Sequence, residues 1–257
     1  MFSRALILFL CTLATPALPQ SSGMPVDGAL LPGWRESDGR HMSGLALDLA
    51  PGWKTYWRSP GAGGIPPRFN WSGSRNLASV TVHYPVPKVM DQNGLQSIGY
   101  DTDVVFPLVV TAQDASKPVM LRGEVELGVC EEVCIPMTLQ VTAELPAGGN
   151  HDKAIAASMD NQPVMGGGIE CDIAPISDGL RLTARTGSAA FSAEVVVIEV
   201  STPDVWVSPS EMSQSGSNLV AEVEMVPPNA QPFALARSGV RMTLIGNGRA
   251  LELRGCQ

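Results

Sequence analysis

Two alternating apolar segments meet at a pair of cysteines, and this feature constrains the fold more than any other. Before Cys130, apolar residues alternate with polar or small ones over 125–129, and the alternation resumes after Cys134 over 135–141. Period-two alternation on both sides of a short break predicts a β-hairpin with a three-residue loop. A straight strand would hold the two cysteines roughly 13 Å apart, whereas a hairpin brings their Cβ atoms to about 4.5–5.5 Å. That is close to disulfide geometry, and we interpret the two cysteines as a redox pair.

Short alternating segments recur along much of the chain. Between about residues 45 and 145 they include 45–49, 80–84 and 104–110, and they are separated by Pro and Gly clusters such as 59–64. Many short strands with frequent turns predict a β-sandwich.

A break in this pattern predicts a domain junction. Residues 145–150 are rich in Pro and Gly and precede the one convincing helical stretch, at 151–159. The strand pattern then resumes, and Asn247-Gly248 is a type I′ hairpin signal between the last two segments. The predicted architecture is all-β, with three parts: a β-sandwich domain at 24–146, a linker with a short helix at 147–168, and a second, smaller β-rich domain at 169–257.

The first twenty residues have the build of a secretory signal peptide. Arg4 supplies the positive charge, residues 5–13 a short apolar core, and residues 15–17 a small-residue cleavage region. The apolar core is shorter than the about twenty residues that cross a bilayer, and no later segment qualifies. We therefore expect an exported protein with no stable membrane insertion.

The charge of the chain excludes one class of partner. It has 17 basic against 25 acidic residues and a formal net charge of −8. A negative chain is repelled by phosphate backbones and anionic membrane surfaces, so nucleic acid is not an expected partner.

The second domain has no Gly-rich phosphate loop, helical His pair or nucleophile elbow, and we expect no cofactor.

Four cysteines follow the predicted signal peptide: Cys130, Cys134, Cys171 and Cys256. An even count in an oxidising compartment suggests two disulfides, with three possible pairings. Closing the long loop from Cys171 to Cys256 is worth about 4–5 kcal/mol in the chain-entropy model, against about 2 for the short loop. This favours a structural Cys171–Cys256 disulfide, and it leaves the short pair available for chemistry.

Three segments, taken in order, carry a resemblance to a known family. They are 51–58 (PGWKTYWR), 98–100 (IGY) with 104–108 (VVFPL), and the cysteine hairpin at 130–136. Together they resemble the N-terminal periplasmic domain of the thiol:disulfide interchange protein DsbD, especially its stand-alone and ScsB-like versions, over roughly residues 30–146.

The resemblance implies an immunoglobulin-like sandwich with a defined activity. Its cysteine pair would accept electrons from a membrane thiol transporter of DsbD type. It would then pass them to periplasmic thioredoxin-fold proteins by thiol–disulfide exchange. Neither a transporter nor a thioredoxin-like domain is recognised in this chain, so both partners are expected as separate proteins.

The resemblance also implies the residues of the site. Cys130 and Cys134 would be the exchanging pair, and Tyr56 and Trp57 would line it. The best-known member has a wider cysteine spacing and covers its cysteines with an aromatic cap loop. The corresponding stretch here, 91–100, contains no Phe. Shielding is therefore expected from three other side chains: Leu95, Ile98 and Tyr100.

The loop between the cysteines carries Glu131 and Glu132, whose charges disfavour a thiolate. They suggest an electron carrier that reacts once a partner engages it, and not a strongly nucleophilic thiolate. They are equally compatible with steering a basic partner surface, or with simply solvating a turn.

Two other functional interpretations stay open at this point. Two thiolates with Met137, Met120 or His83 nearby offer soft ligands for Cu(I), as in a copper-tolerance protein. A non-redox interaction module with two structural disulfides is the other alternative.

Overall fold

The computed structural model describes residues 24–92, 94–187 and 191–257. The predicted signal peptide at 1–20 lies outside these residues. Within the described ranges, no helix has both the length and the apolar character needed to cross a membrane.

The strands between residues 26 and 145 form two antiparallel sheets. In chain order they are β1 (Val26–Arg35), β2 (His41–Leu49), β3 (Lys54–Tyr56), β4 (Arg68–Asn70), β5 (Leu77–Val82), β6 (Lys88–Gln92), β7 (Leu95–Tyr100), β8 (Val104–Ala112), β9 (Val119–Cys130) and β10 (Cys134–Leu145). Sheet I has the order β1-β2-β8-β5. Sheet II has the order β10-β9-β3-β7-β6, with β4 also paired to β9.

Alternation along the strands builds the core between sheets I and II. In β9, Val125, Leu127 and Val129 are buried in this core, while Glu126 faces outward and is exposed. The inward side chains of the two sheets meet around Phe106 and its neighbours. The hairpin predicted at the cysteines is present, and β10 forms one edge of sheet II.

The helix α1 (Lys153–Asp160) follows the first pair of sheets. Asp152 caps it by accepting hydrogen bonds from the backbone N–H groups of Ala154 and Ile155, so the helix begins two residues later than the sequence predicts. Its buried residue Ile155 lies over Gly44 of β2, where a Cβ would approach the Ile155 side chain to 2.9 Å.

The remaining strands form two further sheets. They are β11 (Val164–Met165), β12 (Glu170–Ile176), β13 (Gly179–Thr186), β14 (Val195–Glu199), β15 (Trp206–Val207), β16 (Glu211–Ser215), β17 (Asn218–Val226), β18 (Arg241–Gly246) and β19 (Arg249–Arg254). Sheet III has the order β11-β19-β18-β14. Sheet IV has the order β12-β13-β17-β15, with β16 also paired to β17. A 3₁₀ turn, Arg237–Gly239, precedes β18.

The turn between β18 and β19 is formed as predicted. Asn247 and Gly248 have φ angles of 52° and 67°, the left-handed values that a type I′ turn requires at both central residues. The all-β class predicted from the alternation is confirmed, whereas the domain boundaries stay a prediction. The second pair of sheets has its own core, but one face of sheet III also contributes Val197, Ile245 and Ala250 to the first core.

Candidate redox site

The two cysteines of the hairpin are joined in a disulfide at the end of β9 and the start of β10. They are direct cross-strand partners, and residues 131–133 form the exposed turn between them. Leu127 and Val129 face the core, so Cys130, one residue further along β9, faces away from it together with its partner Cys134. Cys130 is nevertheless fully buried, while Cys134 is exposed. The bond therefore joins a buried cysteine to an exposed one.

Tyr56 covers the buried sulfur. Lys54 of β3 pairs with Cys130, and Tyr56, two residues further along, projects from the same face of sheet II. Its hydroxyl oxygen lies 2.7 Å from Cys130 Sγ and 3.2 Å from Cys134 Sγ. Since disulfide sulfurs carry no hydrogen, the hydroxyl is the donor. Burial raises the pKa of Tyr56, which keeps the phenol protonated and able to donate at neutral pH.

A glycine-rich loop, residues 59–65, lies against the ring of Tyr56. A Cβ added at Gly64 would stand 2.7 Å from Tyr56 Cδ1 and 2.4 Å from Pro60 Cβ, so a side chain does not fit there. The carbonyl of Gly63 is 3.4 Å from the Tyr56 hydroxyl. A hydrogen bond of 2.9 Å from the Ile98 N–H to the Pro60 carbonyl fastens the loop to β7. The loop thus completes the cover over Cys130.

The side chains expected to cap the site divide between the two faces of sheet II. Leu95 is 57% exposed and lies beside the glycine-rich loop, next to Gly63. Trp57, Ile98 and Tyr100 instead belong to the core between sheets I and II. The Tyr100 hydroxyl donates to the carbonyl of Pro85.

Strand alternation explains this division and corrects the expectation for three of these residues. Tyr100 pairs with Thr55 and not with Tyr56, so it points to the opposite face from the sulfurs. Of the five aromatic and apolar residues predicted to line the site, the structure brings Tyr56 into hydrogen-bond distance of the sulfurs. Trp57, Ile98 and Tyr100 lie in the core, on the opposite face of the sheet.

The charged groups near the disulfide have different surroundings. Glu131 and Glu132 are exposed in the turn, and the Glu131 carboxylate lies over the turn at Gly52. Lys54, the cross-strand partner of Cys130, places a positive charge on the same face of the sheet as the sulfurs. Sequence reasoning has no signal for Lys54, because its register against Cys130 is set by long-range pairing.

The residues considered for copper are spread over the first two sheets. Met120 pairs with Glu144 at the far end of the hairpin, and Met137 packs against the core. His83 lines a cavity of about 410 Å³ beside the helix α1. The described residues hold no group of three or more His, Cys, Asp or Glu side chains arranged for a metal ion.

The second disulfide joins Cys171 of β12 to Cys256, just after β19. It links sheet IV to the end of the chain beside sheet III. Arg237 reinforces the junction by donating to the carbonyls of Cys171 and Gln257, each at 3.3 Å.

Besides Lys54, sequence reasoning misses two further parts of the site. The run at 59–65 reads only as turn punctuation, although its glycines are what allow it to approach the Tyr56 ring. Arg58 is noticed only as part of a motif, and its ion pairs with residues far along the chain leave no local sequence signal.

Comparison with known proteins finds one family and one similar solved structure. The family model described as "Thiol:disulfide interchange protein DsbD, N-terminal" matches residues 23–146. The crystal structure of the N-terminal periplasmic domain of ScsB from Proteus mirabilis is similar with a TM-score of 0.58 and 24% sequence identity. That match covers 89% of this chain and 90% of the other. A search of curated proteins finds no significant match.

The structural similarity extends beyond the family match. Because it covers 89% of the chain, it includes strands from both pairs of sheets, and it shows that the two chains share a fold. The resemblance expected over roughly 30–146 is confirmed and slightly extended by the family match. Residues 23–146, which carry the Cys130–Cys134 disulfide, therefore belong to the family of N-terminal domains of the thiol:disulfide interchange protein DsbD.

Proposed function

We propose that this chain is a periplasmic thiol–disulfide exchange protein. It relays electrons through Cys130 and Cys134 from a membrane thiol transporter of DsbD type to periplasmic thioredoxin-fold proteins. The observation that carries the proposal is the asymmetry of the bond, with Cys134 exposed and Cys130 buried under the Tyr56 hydroxyl. A disulfide that serves stability alone has no need for one exposed cysteine and a hydroxyl held closest to the sulfur of the buried one.

From this asymmetry we infer the order of bond making in the reductive half of the relay. A thiolate of the donor attacks the exposed Cys134 Sγ, a donor–Cys134 disulfide forms, and Cys130 leaves as a thiolate. The second thiolate of the donor then attacks the donor sulfur of the mixed disulfide and releases Cys134. The donor loses two electrons and becomes a disulfide, and the Cys130–Cys134 pair gains them and takes up protons from solvent.

The oxidative half runs in reverse with an acceptor. The Cys134 thiolate attacks the acceptor disulfide, and one acceptor cysteine leaves as a thiolate. Cys130 then attacks Cys134 Sγ in the mixed disulfide, the Cys130–Cys134 bond forms again, and the acceptor is left as a dithiol. Both halves use Cys134 as the point of contact with the partner.

Tyr56 supports the step in which charge develops on Cys130. A hydrogen bond to an ionised group is stronger than one to a neutral group. The phenol therefore stabilises the departing Cys130 thiolate more than it stabilises the closed disulfide. This lowers the barrier to opening while the sulfur stays shielded from solvent.

The surroundings of Cys134 suit protein partners. Ile65, Leu95 and Val133 are exposed apolar side chains around the site, and Val133 is 70% exposed. Exposed apolar groups next to a reactive atom are typical of a surface that a partner covers. The adjacent Glu131 and Glu132 favour a partner with a basic rim.

Single-cysteine variants test the assigned order. In Cys130→Ser, the exposed Cys134 should form a mixed disulfide with oxidised glutathione at least about ten times faster than Cys130 does in Cys134→Ser, because access limits the exchange. Mass spectrometry of samples quenched with acid measures both rates. Equal rates, or a faster Cys130, would overturn the order.

The reduction potential tests the relay itself. Equilibration of the protein with thiol–disulfide buffers should give a value of about −200 to −270 mV for Cys130–Cys134, while Cys171–Cys256 stays closed. If Cys130–Cys134 also resists reduction to below about −300 mV, it is a structural bond. The chain would then be an interaction module and not a relay.

A further inference from the structure

One face of sheet III is covered by the first half of the chain. The register of β14, β18 and β19 places Val195, Ile245 and Ala250 in one row across the sheet, and these side chains pack into or against the first core. The next row is Val197, Thr243 and Glu252, and the third is Glu199, Arg241 and Arg254. The covered face therefore changes from apolar to charged along the strands.

Arg58 reaches this face from the segment that follows β3. Its guanidinium contacts Glu199 at 3.0 Å and Glu252 at 2.7 Å. Its Nε also donates to both Glu199 oxygens at 3.1 Å. The Arg58 side chain is 16% exposed and that of Glu252 is 5% exposed. Removing one partner from such a buried group leaves an uncompensated charge, so the loss of either side of the contact is strongly unfavourable.

The charge of Glu252 is maintained despite its burial. Burial alone opposes its ionisation, but a hydrogen bond from Arg254 and the charges of Arg58 and Arg241 hold its pKa below the ordinary value. Glu252 is thus ionised at neutral pH and available to Arg58. It joins the β18–β19 hairpin to the segment that leaves β3.

Arg58 is also tied to the redox site through its neighbours in the chain. Its guanidinium stacks on the ring of Trp57 at 4.0 Å, and the backbone N–H of Trp57 donates to the Ile98 carbonyl at 3.0 Å. Tyr56 directly precedes this pair, and the glycine-rich loop directly follows it. The ion pairs therefore hold the backbone between the two parts of the cover over Cys130, which are the Tyr56 side chain and the glycine-rich loop.

We propose that Arg58 is a positioning residue for the redox site, held by Glu199 and Glu252, and that the C-terminal half of the chain thereby sets how readily the Cys130–Cys134 bond opens. This inference rests on the proposed function of the pair. It assigns a role to the second pair of sheets, for which the sequence shows none. Arg58 acts through the placement of the Tyr56 hydroxyl and does not touch the sulfurs itself.

The test is the rate at which dithiothreitol reduces Cys130–Cys134, measured well below the unfolding temperature of each variant. Arg58→Gln and Glu199→Gln should each slow reduction by about three-fold to ten-fold, because a displaced hydroxyl no longer stabilises the leaving Cys130 thiolate. Cys134 is already exposed, so loosening the cover adds little access. Arg58→Lys keeps the charge and should recover part of the rate.

A double-mutant cycle separates positioning from a general loss of stability. In a Tyr56→Phe background, Arg58→Gln should cause no further slowing, because the group through which it acts is gone. Arg181→Gln is the matched control, since it removes an exposed Arg pair with Glu222 and Glu224 on sheet IV and should leave the rate unchanged. If Arg58→Gln fails to fold, Glu199→Gln carries the same cycle.

The outcomes distinguish this inference from the proposed function. Wild-type rates in Arg58→Gln and Glu199→Gln, with a slow Tyr56→Phe, would overturn the role of Arg58 and leave the relay intact. Additive slowing in the double variant would also overturn it, because the two residues would then act independently. A Cys130–Cys134 bond that resists reduction as strongly as Cys171–Cys256 would instead remove the relay on which the inference rests.

Discussion

At the scale of single residues, the disulfide is defined by what surrounds each sulfur. Cys130 has a hydroxyl at 2.7 Å and no exposed surface, whereas Cys134 lies at the exposed start of β10. The two cysteines have the same chemistry, and only their positions on sheet II give them different roles. Tyr56 is the side chain on which this difference most depends.

Replacing Tyr56 by Phe removes the donor and keeps the ring that packs under the glycine-rich loop. Reduction of Cys130–Cys134 by dithiothreitol should become about ten-fold slower, which corresponds to the loss of a hydrogen bond of ~1.5 kcal/mol to a charged group. Stopped-flow or quenched-thiol assays at neutral pH give this rate.

Tyr100→Phe is the matched control for this experiment. It removes a buried hydroxyl from the same sheet, one that donates to the Pro85 carbonyl and not to sulfur. It should lower stability without slowing reduction. An equal rate in Tyr56→Phe and wild type would refute the role assigned to the phenol.

At the scale of elements, the site is made by a hairpin, a short strand and a loop. The hairpin β9–β10 brings the cysteines together, β3 presents Tyr56 beside them, and residues 59–65 hold its ring from above. The loop approaches closely because it lacks side chains at the contact. Its composition is therefore a packing requirement as well as a turn signal.

A methyl group at Gly64 tests the fit of the loop. Gly64→Ala places a Cβ within 2.7 Å of both Tyr56 and Pro60, so the ring or the loop must move. We expect slower reduction of Cys130–Cys134, by several-fold, with little change in the far-ultraviolet circular dichroism spectrum.

Gly73→Ala provides the comparison for the Gly64 variant. A Cβ at Gly73 meets its nearest neighbour, Arg122 Cβ, at an ordinary 3.6 Å. The Cys130–Cys134 bond of this variant should be reduced at the wild-type rate. Equal rates of Cys130–Cys134 reduction in the two alanine variants would contradict the close fit of the loop on Tyr56.

Sequence reasoning predicts the elements that local patterns determine. The hairpin at Cys130 follows from alternation on both sides of one short break, and the last turn follows from Asn247-Gly248. The position of Tyr56 at the site is expected from a family resemblance and not from spacing. The structure places Trp57, Ile98 and Tyr100 in the core. Local patterns do not predict this, because the face to which a residue points depends on a register between distant strands. The ion pairs of Arg58 lie outside such reasoning for the same reason.

At the scale of the whole molecule, two cores and one shared face join the chain into a single unit. Sheet III packs on sheet IV through one face and on the first half through the other. The disulfide Cys171–Cys256 closes the second half at its ends. The stability of this half therefore depends on a covalent link and on packing against the redox half.

Loss of the Cys171–Cys256 disulfide should destabilise the protein without disabling its chemistry. The Cys171→Ala/Cys256→Ala variant should lose about 2–5 kcal/mol of unfolding free energy, because the unfolded chain is freed from a long closed loop. Urea denaturation followed by tryptophan fluorescence measures the loss. An unchanged midpoint and slope would contradict a structural role for this bond.

The tyrosines predict how the fold responds to alkali. The chain has three, and burial raises the pKa of Tyr84 to about 12, that of Tyr100 well above its ordinary value, and that of Tyr56 in the same direction. A tyrosine in the unfolded chain ionises near pH 10, so between about pH 10 and 12 unfolding releases protons and is favoured as pH rises.

An alkaline titration followed by phenolate absorbance checks this prediction. Tyr84 and Tyr100 should ionise together with the loss of near-ultraviolet circular dichroism, and stability should be insensitive to their ionisation below about pH 10. Ionisation of all the tyrosines near about pH 10 in a protein that is still folded would contradict the effect assigned to their burial.

The position of β10 at the edge of sheet II has a consequence for self-association. An open strand edge is a template on which another strand can add, and repeated addition leads to aggregates. Here the edge carries Pro136 two residues after the exposed Cys134, and proline has no N–H to offer an incoming strand. A partner that approaches the sulfur therefore meets an interrupted row of backbone N–H donors. This disfavours a continuous intermolecular sheet. It favours a transient contact, which ends when the disulfide has been exchanged.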